Sequence, residues 1–483
     1  MLIFIENTPR AYAWGSRDAL PDLLGTPPTG EPQAEIWFGD HPGAPASVAK
    51  ARRAPQSLIE LIESDPGLYG VDGKHLPFLT KLLGIGAPLS LQVHPDRAQA
   101  EAGFAREEAA GVPLDSPARN YTDPNHKPEL LVALSEVRAL CGFRPLAEVR
   151  EDLAAIIDAV DAGAGRAALE RAARWCEAGE DRADHHDAAS RRRFLEWALG
   201  GSDEVTHAVR AIESAVGRLD GLGERAAALR ELVATHPGDA GVLVTLLLHL
   251  VTLQPGEAVF LGARQLHAYM CGVAIEVMAA SDNVLRAGLT EKHIDAAEML
   301  RIVDTSTLDS PRLTPKDVAP GVVEWQPPVP DFRLMLARVG EPNESVRLAE
   351  GAHSDHPQHD TLRRAEMVRI DTPYPGVLVV TNGRVRVERT CSEFDEVASV
   401  AKGQSLYVSA GADRAARPRG RIFFDSWSWL GARVVTLKCW LSLYDPRLDL
   451  MELQRCNCGD PPNAVKTRGD RANVAELRKL SSP

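Results

Sequence analysis

One predicted strand carries two side chains that could bind the same ligand. Residues 90–96 read SLQVHPD, an alternation of apolar and polar residues that predicts a β-strand. Gln92 and His94 are two positions apart, so both side chains leave the same face of that strand. Residues of these types are most often hydrogen-bonded structural groups, but an amide oxygen beside an imidazole nitrogen also suits a metal ion.

Two further metal-ligand types lie far from this strand in the chain. Glu129 ends the segment NHKPE, and His267 lies within QLHAY, downstream of a Pro-Gly turn. Two imidazoles, one carboxylate and one amide oxygen form a mixed set that suits zinc with an open coordination position. These residue types alone leave manganese, iron and cobalt as alternatives.

Charged side chains follow the segment that carries His267. Residues 274–295 read AIEVMAASDNVLRAGLTEKHID, an apolar run and then a charged stretch. Charge clustered after an apolar strand favours the rim of a polar pocket, although a surface loop with an ion pair would have the same spacing. A catalytic base needs both reach and a tuned pKa, and the sequence does not select one. The candidates are Glu276, Asp282, His126 and Lys127.

The elements that would position these side chains are mainly β. Residues 1–145 form short β-like runs broken by Gly and Pro. In residues 146–240 apolar side chains recur at three- and four-residue spacing, as at Val149 and Leu153, which predicts a helical insertion. The run of three arginines at 191–193 is typical of a solvated helix face.

A second β-unit is predicted downstream. The sequence GEAVFLGA from Gly256 aligns with GQSLYVSA from Gly403, a weak internal repeat that indicates duplication. Asn382-Gly383 between two alternating runs predicts a hairpin. The same alignment puts Arg414 where the first copy has His267, so the second copy lacks that ligand. The predicted units are a metal-bearing region (1–145 with 241–302), the helical insertion (146–240), a second β-unit (303–423) and an atypical tail (424–483).

Composition describes a folded protein of several units. The 483 residues exceed one ordinary hydrophobic core, and 44% hydrophobic with 25% charged residues is usual for globular chains. A net charge of -13 disfavours nucleic acid as a partner. The first ten residues predict no secretory signal, and the longest apolar run, 241–253, is too short for a membrane span. Seven scattered cysteines suit a reducing compartment, so we expect a cytoplasmic protein with no membrane partner.

The chain resembles the type I phosphomannose isomerases. The matching segments occur in the family's order through most of the first 145 residues and the 240–300 region. They are YAWGS (12–16), AEIWFGDHPG (34–43), PFLTKLL (77–83), SLQVHPD (90–96), NHKPE (125–129), CGFRP (141–145) and residues 254–295. From about Phe424 the sequence departs from the family, which indicates an altered reading frame or a lineage-specific extension.

The resemblance implies a fold, a reaction and a set of site residues. The fold would be mainly β with an α-helical insertion, in cupin-like jelly-roll units, one metal-bearing and one degenerate, with parts of 31–79 packed on the second unit. The reaction would interconvert mannose 6-phosphate and fructose 6-phosphate in a monomer that holds one zinc ion. The implied zinc ligands are Gln92, His94, Glu129 and His267. The implied pocket residues are Arg286, Trp14, Lys81, Ser90, Lys127, Tyr269, Glu276, Asp282 and Lys292.

Moving a carbonyl between C1 and C2 requires a base and stabilisation of the charge that develops on oxygen, here through a cis-enediol. Arg286 could serve the enediolate or the phosphate, and Ser90 with Lys81 or Lys292 could hold the phosphate. Two other functions remain as alternatives. One is a sugar-phosphate sensor without turnover, and the other is an oxygen-using metal cupin.

Overall fold

The computed structural model describes residues 1–49, 56–177, 184–338, 367–371, 374–390, 395–410, 421–426 and 438–443. The strands are β1 Leu2–Glu6, β2 Glu35–Phe38, β3 Ser47–Val48, β4 Phe78–Ile85, β5 Leu91–Val93, β6 Glu129–Ala133, β7 Val137–Phe143, β8 Leu248–Leu253, β9 Ala258–Leu261, β10 His267–Ala279, β11 Leu285–Gly288, β12 Lys316–Ala319, β13 Val322–Trp325, β14 Arg333–Ala337, β15 Met367–Asp371, β16 Gly376–Asn382, β17 Arg384–Thr390, β18 Asp395–Ala401, β19 Ser405–Val408, β20 Arg421–Ser426 and β21 Lys438–Leu443. The helices are α1 Ala19–Leu24, α2 Leu58–Ser64, α3 Pro66–Tyr69, α4 Arg97–Ala109, α5 Leu146–Ala159, α6 Ala164–Trp175, α7 Asp184–Ala198, α8 Asp203–Ala215, α9 Glu224–Thr235, α10 Gly241–Thr245 and α11 Ala296–Ile302. This composition confirms the prediction of a mainly β protein with helices.

The long strand β10 lies at the centre of a nine-stranded sheet. One edge of β10 pairs with β5 and then β4, and the other edge pairs with β7 and then β6. Gly272 lies where the partners change, with φ of 112°. A Cβ there would be 2.3 Å from the Glu136 carbonyl oxygen, so the crossing of strands requires glycine. Because β10 has partners on both edges, it brings residues from four other strands beside it.

Helices α5 to α10 share one apolar cluster with β5 and the start of β10, which carry Gln92, His94 and His267. Val149 and Leu153 are fully buried and belong to one apolar cluster with Leu91 and Val93 of β5, as their helical spacing predicts. Leu91 and Val93 face this helical layer, so the residues that alternate with them face the opposite side of the sheet. The helical layer thereby fixes the face on which the candidate ligands lie.

Arg191 corrects the prediction of a solvated helix face. Its side chain is fully buried and donates hydrogen bonds to the carbonyl oxygens of Thr305 and Arg144 and to Thr307 Oγ1. The charge is tolerated inside because backbone oxygens satisfy the guanidinium. The charge run alone did not indicate this, since the acceptors come from distant segments of the chain.

The second β-unit contains an eight-stranded and a four-stranded sheet. The strand orders are β12-β13-β14-β21-β16-β19-β1-β3 and β15-β20-β17-β18. Both copies of the weak repeat have a glycine at positive φ followed by a strand, namely Gly256 before β9 and Gly403 before β19. The turn at Gly383 is present, with φ of 75°, but the predicted hairpin is wrong because β16 and β17 pair within different sheets. Leu378 and Val380 of β16 instead pack against Val385 and Val387 of β17 in one core.

Residues from the start of the chain and residues 438–443 enter this second unit. Strand β1 pairs with β19, although the prediction placed it in the metal-bearing region. Leu58 and Ile62, within the segment expected on the second unit, share an apolar cluster with Val377 and Tyr407. The described part of the predicted tail includes β21, which lies between β14 and β16 inside the larger sheet. The boundaries of the units remain predictions. Among the described residues no helix has the length and apolarity needed to cross a membrane.

Candidate metal centre and its surroundings

Three of the four predicted ligands converge. One side-chain atom each from His94, Glu129 and His267 lies within 4.8 Å of the others, and all three residues are buried. Nε2 of His94 is 3.2 Å from Glu129 Oε1, and Nε2 of His267 is 3.2 Å from Glu129 Oε2. They come from the end of β5, the start of β6 and the start of β10, so the sheet assembles the group from three separate parts of the sequence.

The orientation of the two imidazoles fits a cation between them. Nδ1 of His94 is 2.7 Å from the Asn283 carbonyl oxygen, and Nδ1 of His267 is 3.0 Å from that of Gln265. A carbonyl oxygen only accepts, so each Nδ1 carries the proton and each Nε2 presents a lone pair. Both Nε2 atoms are buried and have no hydrogen-bond partner among the residues that the structure describes, despite their closeness to Glu129. Burial lowers the pKa of His94 to about 4, which keeps its ring neutral.

The convergence of two lone pairs and a carboxylate is unfavourable without a positive charge among them. Nitrogen and carboxylate oxygen are the donor types of a catalytic zinc site. The residues present therefore fit the zinc ion that the sequence predicts. Among the described residues this is the group of histidine, cysteine and carboxylate side chains arranged to hold a metal.

Gln92 lies beside this group on the sheet. Its Cα pairs with those of His267 on β10 and Arg286 on β11. Directly opposite residues in antiparallel strands have side chains on the same face, so these three form a row across three strands. This row agrees with the expectation that the Gln92 side chain lies on the same face of the sheet as His267. The role of Gln92 as a metal ligand stays a prediction.

Lys127 and Tyr269 surround the carboxylate. Lys127 Nζ is 3.1 Å from Glu129 Oε1, and the Tyr269 hydroxyl donates to Glu129 Oε2 at 3.1 Å. Burial opposes ionisation of Glu129, but the neighbouring charge of Lys127, the largest of the opposing causes, helps to hold the pKa of Glu129 well below its usual value. Burial and the Glu129 charge raise the pKa of Tyr269, so its hydroxyl stays protonated. The centre therefore contains an ionised carboxylate whose charge is already partly compensated.

A second buried carboxylate, Glu276, lies near this centre. Lys81 Nζ is 3.5 Å from Glu276 Oε2 and 3.7 Å from Glu35 Oε2. Burial, followed by the charge of Glu129, raises the pKa of Glu276 to about 7, against the lowering effect of Lys81. Burial would lower the pKa of Lys81, but Glu35 and Glu276 more than reverse this. A carboxyl with a pKa near neutrality can both accept and release a proton at cellular pH.

We expect Glu276 to make stability depend on pH. Its ordinary pKa is 4.5 and its folded pKa is about 7, so between these values the folded chain holds a proton that the unfolded chain has lost. Stability should therefore fall as pH rises from about 4.5 to 7 and this contribution should level off above. Glu276→Gln removes the titration. The melting temperature of the metal-free variant, measured relative to that of the metal-free wild type, should therefore increase as pH rises from about 4.5 to 7. Glu291→Gln, on an exposed residue, is the control. The same dependence of melting temperature on pH in the wild type and in Glu276→Gln would contradict the assignment.

Two cations near the site, Arg286 and Lys292, form no ion pair within 4 Å in the described part of the chain. Within the described chain the Arg286 guanidinium has no hydrogen-bond or ion-pair partner, and burial lowers its pKa. Burial and the charge of Arg286 also lower the pKa of Lys292. Lys292 Nζ lies 5.9 Å from the centroid of the Tyr12 ring, which stacks on Trp14. Glu35 offsets only part of this effect on the pKa of Lys292, so the two neighbouring cations favour an anionic ligand.

The other predicted residues have partners outside the metal group. His126 Nε2 is 3.0 Å from Asp331 Oδ2, and the half-exposed Asp282 is 3.4 Å from His41 Nε2. Ser90 is half-buried just before β5. Trp14 packs on the apolar cluster that contains Tyr269. Their functional roles stay predictions.

Three residues of the segment AEIWFGDHPG that had no predicted role, Glu35, Trp37 and His41, also lie around Lys81. Glu35 and Trp37 alternate on β2, and the Trp37 indole donates to the Glu35 carboxylate. Lys81 Nζ lies 4.7 Å from the centroid of the Trp37 ring. His41 contacts the same ring edge-on, with centroids 5.1 Å apart. The period-two spacing of Glu35 and Trp37 was the available signal.

Comparison with known proteins identifies related chains. A family model described as phosphomannose isomerase type I, catalytic domain, matches residues 2–146. The mannose-6-phosphate isomerase of Escherichia coli (strain K12) is 37% identical over 347 residues, which cover 70% of this chain and 84% of the relative. The mannose-6-phosphate isomerase of Homo sapiens is 33% identical over 365 residues, covering 68% of this chain and 80% of the relative.

Solved structures extend the likeness to most of the chain. A crystal structure of a variant of phosphomannose isomerase from Salmonella typhimurium has a TM-score of 0.72 at 28% identity, and the match covers 92% of this chain and 99% of that chain. A crystal structure described as mannose 6-phosphate isomerase, holo and zinc bound, matches with the same TM-score of 0.72, identity of 28% and coverage. The likeness therefore includes the second β-unit as well as residues 2–146.

Proposed function

The chain belongs to the phosphomannose isomerase type I family, and we propose that it interconverts mannose 6-phosphate and fructose 6-phosphate. The observation that carries the proposal is the buried convergence of two imidazole lone pairs on Glu129. The neighbouring cations Arg286 and Lys292 suit a phosphorylated ligand. The relatives from Escherichia coli and Homo sapiens bear the name of this activity.

His94, Glu129 and His267 would hold one zinc ion, with Gln92 as the fourth ligand. Three observations support this: the closeness of the ligand atoms, the protonated Nδ1 atoms and the lone pairs without partners. When bound, zinc supplies Lewis acidity that favours negative charge on a carbonyl or hydroxyl oxygen of the sugar. Lys127, 3.1 Å from Glu129, would add positive charge on the same side.

Glu276 is the side chain best suited to move the proton between C1 and C2 through a cis-enediol. Its pKa of about 7 lets it take a proton from one carbon and return it to the other near neutral pH. Lys81, 3.5 Å away, would stabilise its ionised form and fix its position. His126 and Asp282 stay as alternatives, and they contact Asp331 and His41 respectively.

Arg286 and Lys292 would bind the anionic end of the substrate, with Ser90 as a hydroxyl donor. The guanidinium is permanently charged and can form two parallel hydrogen bonds to phosphate or to an enediolate. Tyr12 and Trp14, stacked with ring centroids 6.0 Å apart, would provide an aromatic wall near Lys292.

The proposal also includes the finer features expected from the sequence. The two β-units would be cupin jelly rolls, the first metal-bearing and the second degenerate, in a cytoplasmic monomer. A sugar-phosphate sensor without turnover is less well supported, since binding alone does not require a buried carboxyl with a pKa near 7 beside the metal ligands.

A coupled assay with mannose 6-phosphate tests the function. Turnover should be lost after chelation and restored by zinc. Substrate deuterated at C2 should lose label to solvent or transfer it only partly to C1. Complete retention of the label at C1 would indicate a hydride shift and not proton transfer. An inactive zinc-loaded enzyme would overturn the proposed function.

A further inference from the structure

Asn283 joins the segments that carry two of the metal ligands. It is fully buried, with 0% of its surface exposed, between β10 and β11. Its neighbours in space are residues 122–125, which lead directly into Lys127 and Glu129. The amide carries no charge and is not a base, and its oxygen and nitrogen are both hydrogen-bonded to residues 122–125, so its burial requires a structural explanation.

The side-chain amide uses its full hydrogen-bonding capacity on the 122–125 segment. Asn283 Oδ1 accepts from the backbone N–H of Thr122 at 2.8 Å and of Asp123 at 3.3 Å. Asn283 Nδ2 donates to the carbonyl oxygens of Asp123 and Asn125, both at 2.8 Å. An amide has two acceptor sites and two donor hydrogens, so all four are occupied. This one side chain therefore makes four of the hydrogen bonds that join the segment to the residues before β11, beside those of the Ser281 hydroxyl and the Asp282 backbone N–H to Asp123.

The backbone of the same residue holds the other ligand. The Asn283 carbonyl oxygen accepts from His94 Nδ1 at 2.7 Å, which fixes the ring and directs the Nε2 lone pair toward Glu129. One residue thus determines the tautomer of His94 through its carbonyl and the approach of Glu129 through its amide. Displacement of Asn283 would disturb both ligands together.

We propose that Asn283 is a positioning residue of the metal centre, which couples His94 to Glu129. Groups that orient metal ligands in this way commonly contribute about 10–100-fold to metal affinity. The inference rests on the proposed zinc site and does not depend on the isomerase reaction.

Asparagine is required here rather than aspartate. Asn283 Nδ2 also lies 3.2 Å from Asp123 Oδ1, so a carboxylate at this position would face another carboxylate and two carbonyl oxygens. Ser281 reinforces the arrangement, since its hydroxyl donates to Asp123 Oδ1 at 2.9 Å. Ser281 cannot replace the amide, because its single hydroxyl hydrogen is shared among Asp123 Oδ1, Asp123 Oδ2 and the Asn125 carbonyl oxygen, whereas the amide has two donor hydrogens.

The test compares Asn283→Ala and Asn283→Asp with Asn120→Ala. Asn120 is 9% exposed and donates to Asp295 Oδ2 at 2.9 Å, so it controls for loss of a buried inter-segment hydrogen bond. Zinc dissociation constants are measured by chelator competition without any sugar, and the absorption bands of the cobalt-substituted proteins are recorded. We expect both Asn283 variants to bind zinc about 10–100-fold more weakly, with shifted cobalt bands. Asn120→Ala should keep the wild-type constant and spectrum.

Wild-type zinc affinity and cobalt bands in the Asn283 variants would overturn the inference. Asn283→Asp keeps the side-chain volume and is the deciding variant if Asn283→Ala does not fold. Equal weakening in Asn120→Ala would also overturn it, because the effect would then be a general loss of stability. A wild-type protein that binds zinc but does not isomerise mannose 6-phosphate would remove the proposed function and leave this inference intact.

Discussion

Replacing Glu129 by glutamine is expected to remove both zinc binding and turnover. The Glu129 carboxylate oxygens lie 3.2 Å from the lone-pair nitrogens of His94 and His267, and the charge is the only negative ligand of the predicted set. The variant also leaves Lys127 buried without its partner at 3.1 Å. We expect the zinc dissociation constant to rise by more than about 100-fold, beyond the range for residues that only orient ligands. Loss of several kcal/mol of transition-state stabilisation corresponds to a fall of about 10³-fold in kcat/KM.

Metal content by atomic emission and the coupled assay check this expectation. Glu257→Gln is a matched control, because Glu257 pairs with Arg312 at 2.9 Å in a partly exposed position away from the metal ligands. The control should retain zinc and activity. Stoichiometric zinc in Glu129→Gln at low micromolar metal would show that this carboxylate is not a ligand, and the centre would then need another acid.

The sequence predicted the local geometry of the site better than its assembly. Period-two alternation correctly placed Gln92 and His94 on one side of a strand, since Leu91 and Val93 must enter the core. No rule of sequence spacing predicts that Glu129 and His267 meet. They meet only because β10 pairs with strands that lie far from it in the sequence. The family resemblance supplied that convergence, and the structure brings His94, Glu129 and His267 together.

The errors and omissions have a common physical cause. Asn382-Gly383 forms a local turn, but the apolar faces of β16 and β17 pack across a core and prevent the hairpin. Arg191 is buried because carbonyl oxygens from residues far along the chain accept its hydrogen bonds. The contact of Asn283 with His94 spans 189 positions of the sequence. Local patterns carry propensity and periodicity, whereas these contacts depend on tertiary packing.

Replacing Arg286 by alanine is expected to separate activity from stability and from metal binding. Among the described residues its guanidinium has no partner to lose, and burial already lowers its pKa and so disfavours its charge. The free energy of unfolding should therefore change by no more than about 1 kcal/mol, and the variant should keep zinc. Removal of one preorganised cation should lower kcat/KM by about 10²–10³-fold.

Arg286→Lys distinguishes charge from shape. A lysine keeps the positive charge but loses the paired donors of the guanidinium, so we expect it to recover only part of the activity lost in Arg286→Ala. Arg312→Ala is the control, since Arg312 already has Glu257 as a partner and should leave kinetics unchanged. Melting curves, zinc content, kcat and KM of the four proteins decide the matter. Near-wild-type kinetics in Arg286→Ala would exclude Arg286 from catalysis and substrate binding, whereas loss of zinc would place its effect on the metal centre through Gln92, its partner across β5 and β11.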